Sequence, residues 1–102
     1  MFFPFTVEEF AQVRTSYFEP RDELKLIDIP AKQKRKYIVF VWIQRLFEPG
    51  KIYTENEINA ILENVYFDYV SLRRSLIDYR LIERKNDGSS YWVGERIEPL
   101  HS

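Results

Sequence analysis

Seven consecutive apolar residues, Tyr37-Ile38-Val39-Phe40-Val41-Trp42-Ile43, constrain this 102-residue chain more than any other feature. Taken alone, their β-branched and aromatic content reads as a strand. The flanks Ala31-Lys32-Gln33-Lys34-Arg35-Lys36 and Gln44-Arg45-Leu46-Phe47 are helix-tolerant, and Pro30 suits a helix entrance, where a missing N–H is no loss. The spacing therefore predicts a helix over 31–47. A helix apolar on nearly all sides must be covered on nearly all sides. Either an N-terminal helix of the same chain or a second copy of it would supply that cover. The run is far shorter than the roughly 20 residues that cross a bilayer, so no membrane partner is expected.

Composition limits the chemistry. Hydrophobic residues make up 45% and aromatics 17%, enough to exclude a disordered tail, which could not offset its chain entropy by burial. Without cysteine there is no disulfide, thiolate metal site or cysteine nucleophile, and the one histidine, His101, is penultimate. The apolar N-terminus Met1-Phe2-Phe3-Pro4-Phe5 lacks a basic n-region and runs into Glu8-Glu9, so no signal peptide is expected and a cytoplasmic location is the default. With three glycines there is no phosphate-cradling loop, and the paired carboxylates Glu8/Glu9 and Glu55/Glu57 sit where helix caps belong. No enzymatic activity, cofactor or metal is expected.

Net charge is −1, which argues mildly against gripping nucleic acid by charge alone. The distribution is uneven. Residues 1–31 carry three basic and six acidic groups, whereas 32–102 carry twelve and ten. Lys32, Lys34, Arg35 and Lys36 form one basic cluster, and Arg73, Arg74, Arg80, Arg84 and Lys85 a second, diluted by Asp78 and Glu83.

Thr6-Val7-Glu8-Glu9 has the pattern of a capping box, and Phe10, Val13 and Tyr17 follow at helical spacing, predicting a helix over about 6–18. Pro20 lies just beyond its end. Residues 19–30 are a linker whose Leu24, Leu26, Ile27 and Ile29 should hold it along the core. Glu48-Pro49-Gly50-Lys51 is a turn, and Ile52-Tyr53 a brief extended stretch. Thr54-Glu55-Asn56-Glu57 is a second capping box, opening a helix over about 54–64 with Ile58, Ile61, Leu62 and Val65 on one face. Asp68 caps a helix over about 68–79 whose inward face is Tyr69, Leu72, Leu76 and Tyr79. Leu81 to Lys85, the Asp87-Gly88 turn and Tyr91-Trp92-Val93 then read as a β-hairpin, with glycine supplying positive φ.

From residue 31 the order is helix, short strand, helix, helix, hairpin. The fold class is therefore α+β: a winged helix-turn-helix, three helices plus a hairpin wing, with an additional N-terminal helix. The expected organisation is an N-terminal helix and linker packed on the core (1–30), a winged-helix-like domain (31–95) and a flexible tail (96–102).

Phe47-Glu48-Pro49-Gly50, Tyr53-Thr54-Glu55, Glu57-Ile58-Asn59, Asp68, Leu72-Arg73-Arg74, Leu76, Asp78-Tyr79, and Asp87-Gly88 before Tyr91-Trp92 occur in one order at one spacing. Together they resemble the bacterial domain-of-unknown-function family 2087, over about residues 30–94. The resemblance implies a winged-helix-like domain, found alone or joined to transcriptional-regulator domains, with no established activity. Where that family usually carries glycine after Asp-Tyr, this chain has Arg80, so the preceding helix is expected to end differently.

At 100° per residue, a stripe centred on Leu72 and Leu76 leaves Arg74 pointing away, flanked by Val70, Ser71 and Asp78. In a recognition helix that face enters the major groove, where arginine binds guanine O6 and N7 and serines reach phosphates or base edges. The candidate DNA contacts are Ser71, Arg74 and Ser75, with Arg84 and Lys85 at the wing and Lys32, Lys34 and Lys36 as a further positive edge. Glu57, Asp68, Arg73 and Asp78 are expected to be structural, with Arg73 pairing to Asp78, Glu57 or Asp68. The reading is a DNA-binding transcriptional regulator of modest affinity, with double-stranded DNA and a second copy of the chain as partners. The alternative is a winged-helix-like interaction or dimerisation module that does not touch DNA.

Overall fold

A computed structural model describes residues 2–100. Its elements are α1 (Val7–Tyr17), α2 (Gln33–Gln44), α3 (Glu55–Glu63), α4 (Tyr69–Asp78), β1 (Ile82–Arg84) and β2 (Tyr91–Val93). They form a small α+β domain of four helices and a two-stranded antiparallel hairpin.

The apolar run is helical, and the rest of the chain is laid around it. Tyr37, Ile38, Val39, Phe40, Val41 and Ile43 are each at most 1% exposed. One side is covered by α1. The Phe10 ring stacks on Trp42 at 3.9 Å and 3°, and the Trp42 indole N–H donates to the Phe10 carbonyl at 2.8 Å. The Arg45 guanidinium lies 4.7 Å from the Phe10 ring centroid. Contacts of these kinds contribute about 1 kcal/mol each beyond the area they bury. Another side is covered by Phe3, Phe5 and Tyr79, whose rings surround Tyr37. Of the two sources of cover, the chain itself is the one used.

This helix is shorter than the expected 31–47. Lys32 is extended and offers no side-chain cap, and the C-terminal turn tightens into i→i+3 bonds from Arg45, Leu46 and Phe47 to Trp42, Ile43 and Gln44. The other helices start as their sequences predict. Thr6 and Glu9 close a capping box on α1, and Thr54 and Glu57 close one on α3. The Asp68 carboxylate accepts from the Ser71 N–H at the start of α4.

Gln44 is the buried polar residue of the core, and nothing in the sequence pattern marks it. Its amide donates to the Leu81 and Glu95 carbonyls at 2.9 Å each, and its oxygen accepts from the Ile97 N–H at 3.2 Å. It thereby ties α2 to the start of the hairpin and to the C-terminal segment. That segment corrects the expectation of a flexible tail from residue 96. Ile97 is buried, Arg96 donates to the Phe47 carbonyl at 2.6 Å, and the Leu100 N–H donates to Phe5 at 2.8 Å. Apolar anchorage and satisfied backbone groups hold it down. Of the expected tail, 101–102 lie outside the described residues, as does His101.

β1 pairs with β2 in the register Ile82 to Val93, Glu83 to Trp92 and Arg84 to Tyr91. Gly88 takes φ +74° in the connecting turn, as the Asp-Gly dipeptide requires. On the other edge of β2, Tyr53 exchanges two backbone bonds of 2.8 Å with Tyr91, so the extended stretch before α3 joins the hairpin as an isolated bridge.

The end of α4 corrects a second expectation. Arg80 adopts φ +59°, the left-handed conformation that glycine takes cheaply. The Leu81 N–H donates to Leu76 and the Arg80 N–H to Ile77, both at 2.9 Å, which is a complete Schellman ending with Leu81 and Leu76 buried against the core. The helix therefore ends as a glycine would end it, at a backbone cost of about 1–2 kcal/mol. The corner is tight. A Cβ on Gly94 would stand 2.4 Å from the Arg80 carbonyl oxygen, a clash between backbones that no rotamer relieves.

Candidate nucleic-acid interface

The burial pattern of α4 follows its periodicity. Leu72 and Leu76 are buried; Tyr69, Arg73, Ser75 and Ile77 are half-buried; Val70, Ser71, Arg74 and Asp78 are exposed. The exposed set is the outward face expected around Arg74. Arg74 takes part in none of the ion pairs among the described residues, so its guanidinium is available to a ligand.

The two serines differ from one another. The Ser71 hydroxyl donates to the Asp68 carboxylate at 2.7 Å, which commits its proton to the helix start and leaves it only an acceptor's role. Ser75 is half-buried, off the outward face. Arg84 and Lys85 are exposed at the mouth of the hairpin. The Arg84 guanidinium folds over the turn, where a Cβ on Gly88 would lie 3.6 Å from its Nη1.

The N-terminal basic cluster is divided. Lys32 is exposed, but Lys34 pairs with Glu9 of α1 at 2.8 Å, and Lys36 is half-buried. Lys34 is thus turned toward the N-terminal helix. The Lys34 ammonium, together with the Thr6 backbone, holds the Glu9 carboxyl below its usual pKa. The start of α2 does stand beside the end of α4, because the Tyr79 hydroxyl donates to Gln33 Oε1 at 3.1 Å.

Arg73 has a structural environment with partners other than those expected. Its guanidinium meets Asn59 Oδ1 at 2.5 Å and Glu55 at 3.4 Å, neither of them Asp78, Glu57 or Asp68. Residues 55 and 59 are one helical turn apart on the face of α3 that meets α4, so both reach one guanidinium. Phosphates approaching α3 therefore meet two first-turn carboxylates already engaged: Glu55 by Arg73, and Glu57 by its own N-cap, which lowers its pKa. Asp78 remains exposed on the outward face and opposes phosphate. Over residues 69–93, four exposed cations (Arg74, Arg80, Arg84 and Lys85) stand against three exposed carboxylates (Asp78, Glu83 and Asp87).

One residue at this face escapes sequence reasoning. Phe67, in the turn between α3 and α4, is 84% exposed beside exposed Val70. Its place follows from the early end of α3, which stops at Glu63 with Asn64 as its C-cap. Among the described residues, no cluster of three potential metal ligands occurs, and no helix is long and apolar enough to cross a membrane.

No curated protein and no solved structure matches the chain. A protein-family pattern does, from residue 25 to residue 93, a span that holds α2, α3, α4 and the hairpin and leaves out α1. The chain belongs to the bacterial family described as "Uncharacterized protein conserved in bacteria (DUF2087)".

Proposed function

We propose that this protein is a DNA-binding transcriptional regulator of winged-helix type, with α4 as the recognition helix and the hairpin as the wing. The observation that carries this reading is the outward face of α4, with Arg74 exposed and unpaired at its centre. The Tyr53–Tyr91 bridge supports the fold assignment, because a strand between the first two core helices that pairs with the hairpin is part of that architecture. Arg74 donates to a guanine edge, Phe67 and Val70 make apolar contact with thymine methyl groups, and Arg84 and Lys85 meet the backbone beside the groove. Four cations offset by three carboxylates neutralise few phosphates, so affinity is modest and its salt dependence shallow.

Fluorescence anisotropy with duplex DNA at low salt tests this. Arg74→Ala is expected to weaken binding by about 1–3 kcal/mol and to relax sequence preference. Lys85→Ala should weaken binding to all sequences alike and reduce the salt slope by about 1. Binding that is absent, or indifferent to both changes, overturns the assignment.

A second reading is a winged-helix-like interaction module. It is favoured by a surface groove lined by Ile27, Tyr66 and Phe67, in which Ile27 is 58% and Phe67 84% exposed. Light scattering across concentration separates the two. Self-association abolished by Phe67→Ser with DNA binding intact assigns Phe67 to the module and not to DNA.

A further inference from the structure

Where α2, the end of α4, β1 and the C-terminal segment meet, a cavity of about 220 Å3 is lined by Phe2, Tyr37, Tyr79, Arg80, Glu83 and Glu95. It is smaller than the roughly 300–1,000 Å3 of sites for drug-sized ligands, so only a compact molecule fits. Three observations describe its chemistry. Tyr37 is 0% exposed, and its hydroxyl is the one buried side-chain polar atom with no hydrogen bond among the described residues. Buried polar groups are nearly always satisfied, and an orphan costs about 1–3 kcal/mol, so this one calls for a partner. Burial raises the phenol's pKa, the Phe2 backbone offsets part of that, and the Glu95 carboxylate raises it further; the hydroxyl thus lies within electrostatic reach of Glu95.

The second observation is that Arg80, Glu83 and Glu95 share this small space yet form no ion pair among the described residues. The third is the aromatic wall. The Phe2 ring lies 6.0 Å from Tyr37 and 5.3 Å, edge-on, from Tyr79, and is 51% exposed. It is the outer wall and the part that must move to admit a ligand to the sealed Tyr37 hydroxyl.

We propose that this cavity binds a small zwitterionic amino acid. Its ammonium sits between Glu83 and Glu95 and donates to the Tyr37 hydroxyl. Its carboxylate pairs with Arg80, and its side chain packs against Phe2 and Tyr79. Walls bearing both signs of charge select the zwitterion. A plain ammonium would leave Arg80 facing a like charge, and a plain carboxylate would face two glutamates. The inference does not depend on DNA binding: Arg80 and Glu83 enter the charge balance beside the groove, but none of these residues lies on the outward face of α4.

The test is a ¹H–¹⁵N NMR titration of the full chain with glycine, L-alanine and L-leucine, with n-butylamine and butyrate as half-ligands. The expected result is saturable shifts in the amides of residues 79–83 and 94–97 for at least one amino acid. Each half-ligand should bind about tenfold more weakly, the loss of one charge-assisted contact. Tyr37→Phe keeps the ring, and Arg80→Gln keeps a side chain at the same backbone position. Each should also weaken binding about tenfold, with an unchanged melting midpoint or an increase for Tyr37→Phe reporting an intact fold. No saturable shift with any of the three amino acids, a half-ligand that binds as tightly, or an unchanged Kd in either variant overturns the proposal.

Discussion

The helices α2 and α3 are both short, yet they are held by opposite means. α3 opens with a reciprocal capping box, carries Glu55 and Glu57 in its first turn, and buries only Ile58 and Leu62. α2 has no side-chain cap and no acidic residue in its first turn, and it opens among Lys32, Lys34, Arg35 and Lys36, the wrong sign of charge for a helix N-terminus. What holds α2 is burial, with seven of its twelve residues inside. A helix can thus be specified by its own ends or by what packs around it.

The largest expected effect tests the second half of that contrast. Phe40→Ala removes a fully buried ring from α2 and should cost about 3–5 kcal/mol in denaturant unfolding. Gln44→Leu comes next. It leaves the Glu95 carbonyl and the Ile97 N–H without partners and the Leu81 carbonyl with only the Gly94 N–H, for a loss of about 3 kcal/mol. If Gln44→Leu is neutral, the junction of α2 with the hairpin rests on packing alone.

Cap changes should be smaller and opposite in sign at the two helices. Thr54→Ala breaks the α3 box and should cost about 1 kcal/mol, whereas Lys32→Ser adds a cap where α2 has none and should gain up to about 1 kcal/mol. Equal effects would erase the distinction.

The smallest effect is a pH dependence. Cap hydrogen bonds hold the Glu57 carboxyl below its ordinary value of 4.5, and Lys34 and the Thr6 cap do the same for Glu9. A depressed carboxyl pKa stabilises the fold above the unfolded value, and that contribution disappears as pH falls through the folded one. The stability gap between native protein and Thr54→Ala should therefore narrow below about pH 4.5, while the gap for Phe40→Ala should not follow this pattern.

Local chemistry made much of this legible beforehand. Thr6 with Glu9, Thr54 with Glu57, Asp68 and Gly88 each act within a few residues of their own position, so their sequence patterns were sufficient. The outward position of Arg74 followed from periodicity, because α4 has one buried stripe. Arg73 was legible as a structural group but not in its partners, since which helix faces it depends on how α3 crosses α4. Phe67 and Gln44 were missed for the same reason. An apolar residue past a helix end and a polar one inside a core have meaning only once the neighbours are in place. The C-terminal segment was misread because a Pro- and Glu-containing stretch with one Ile and one Leu gives no sign that Gln44, Phe47 and Phe5 offer it partners.

Arg80 marks the boundary between the two kinds of information. Sequence alone determined the order of the elements, the caps of α1, α3 and α4 and the faces that α3 and α4 turn inward, because propensity, periodicity and capping act over a few bonds. Tertiary structure alone decided that α2 is covered within one chain, that a non-glycine residue is held left-handed at the end of α4, and that Tyr37, Arg80, Glu83 and Glu95 share one cavity. Those outcomes depend on the burial of residues far apart in the chain, whose packing energy exceeds the local cost of an uncapped helix or an unfavourable φ.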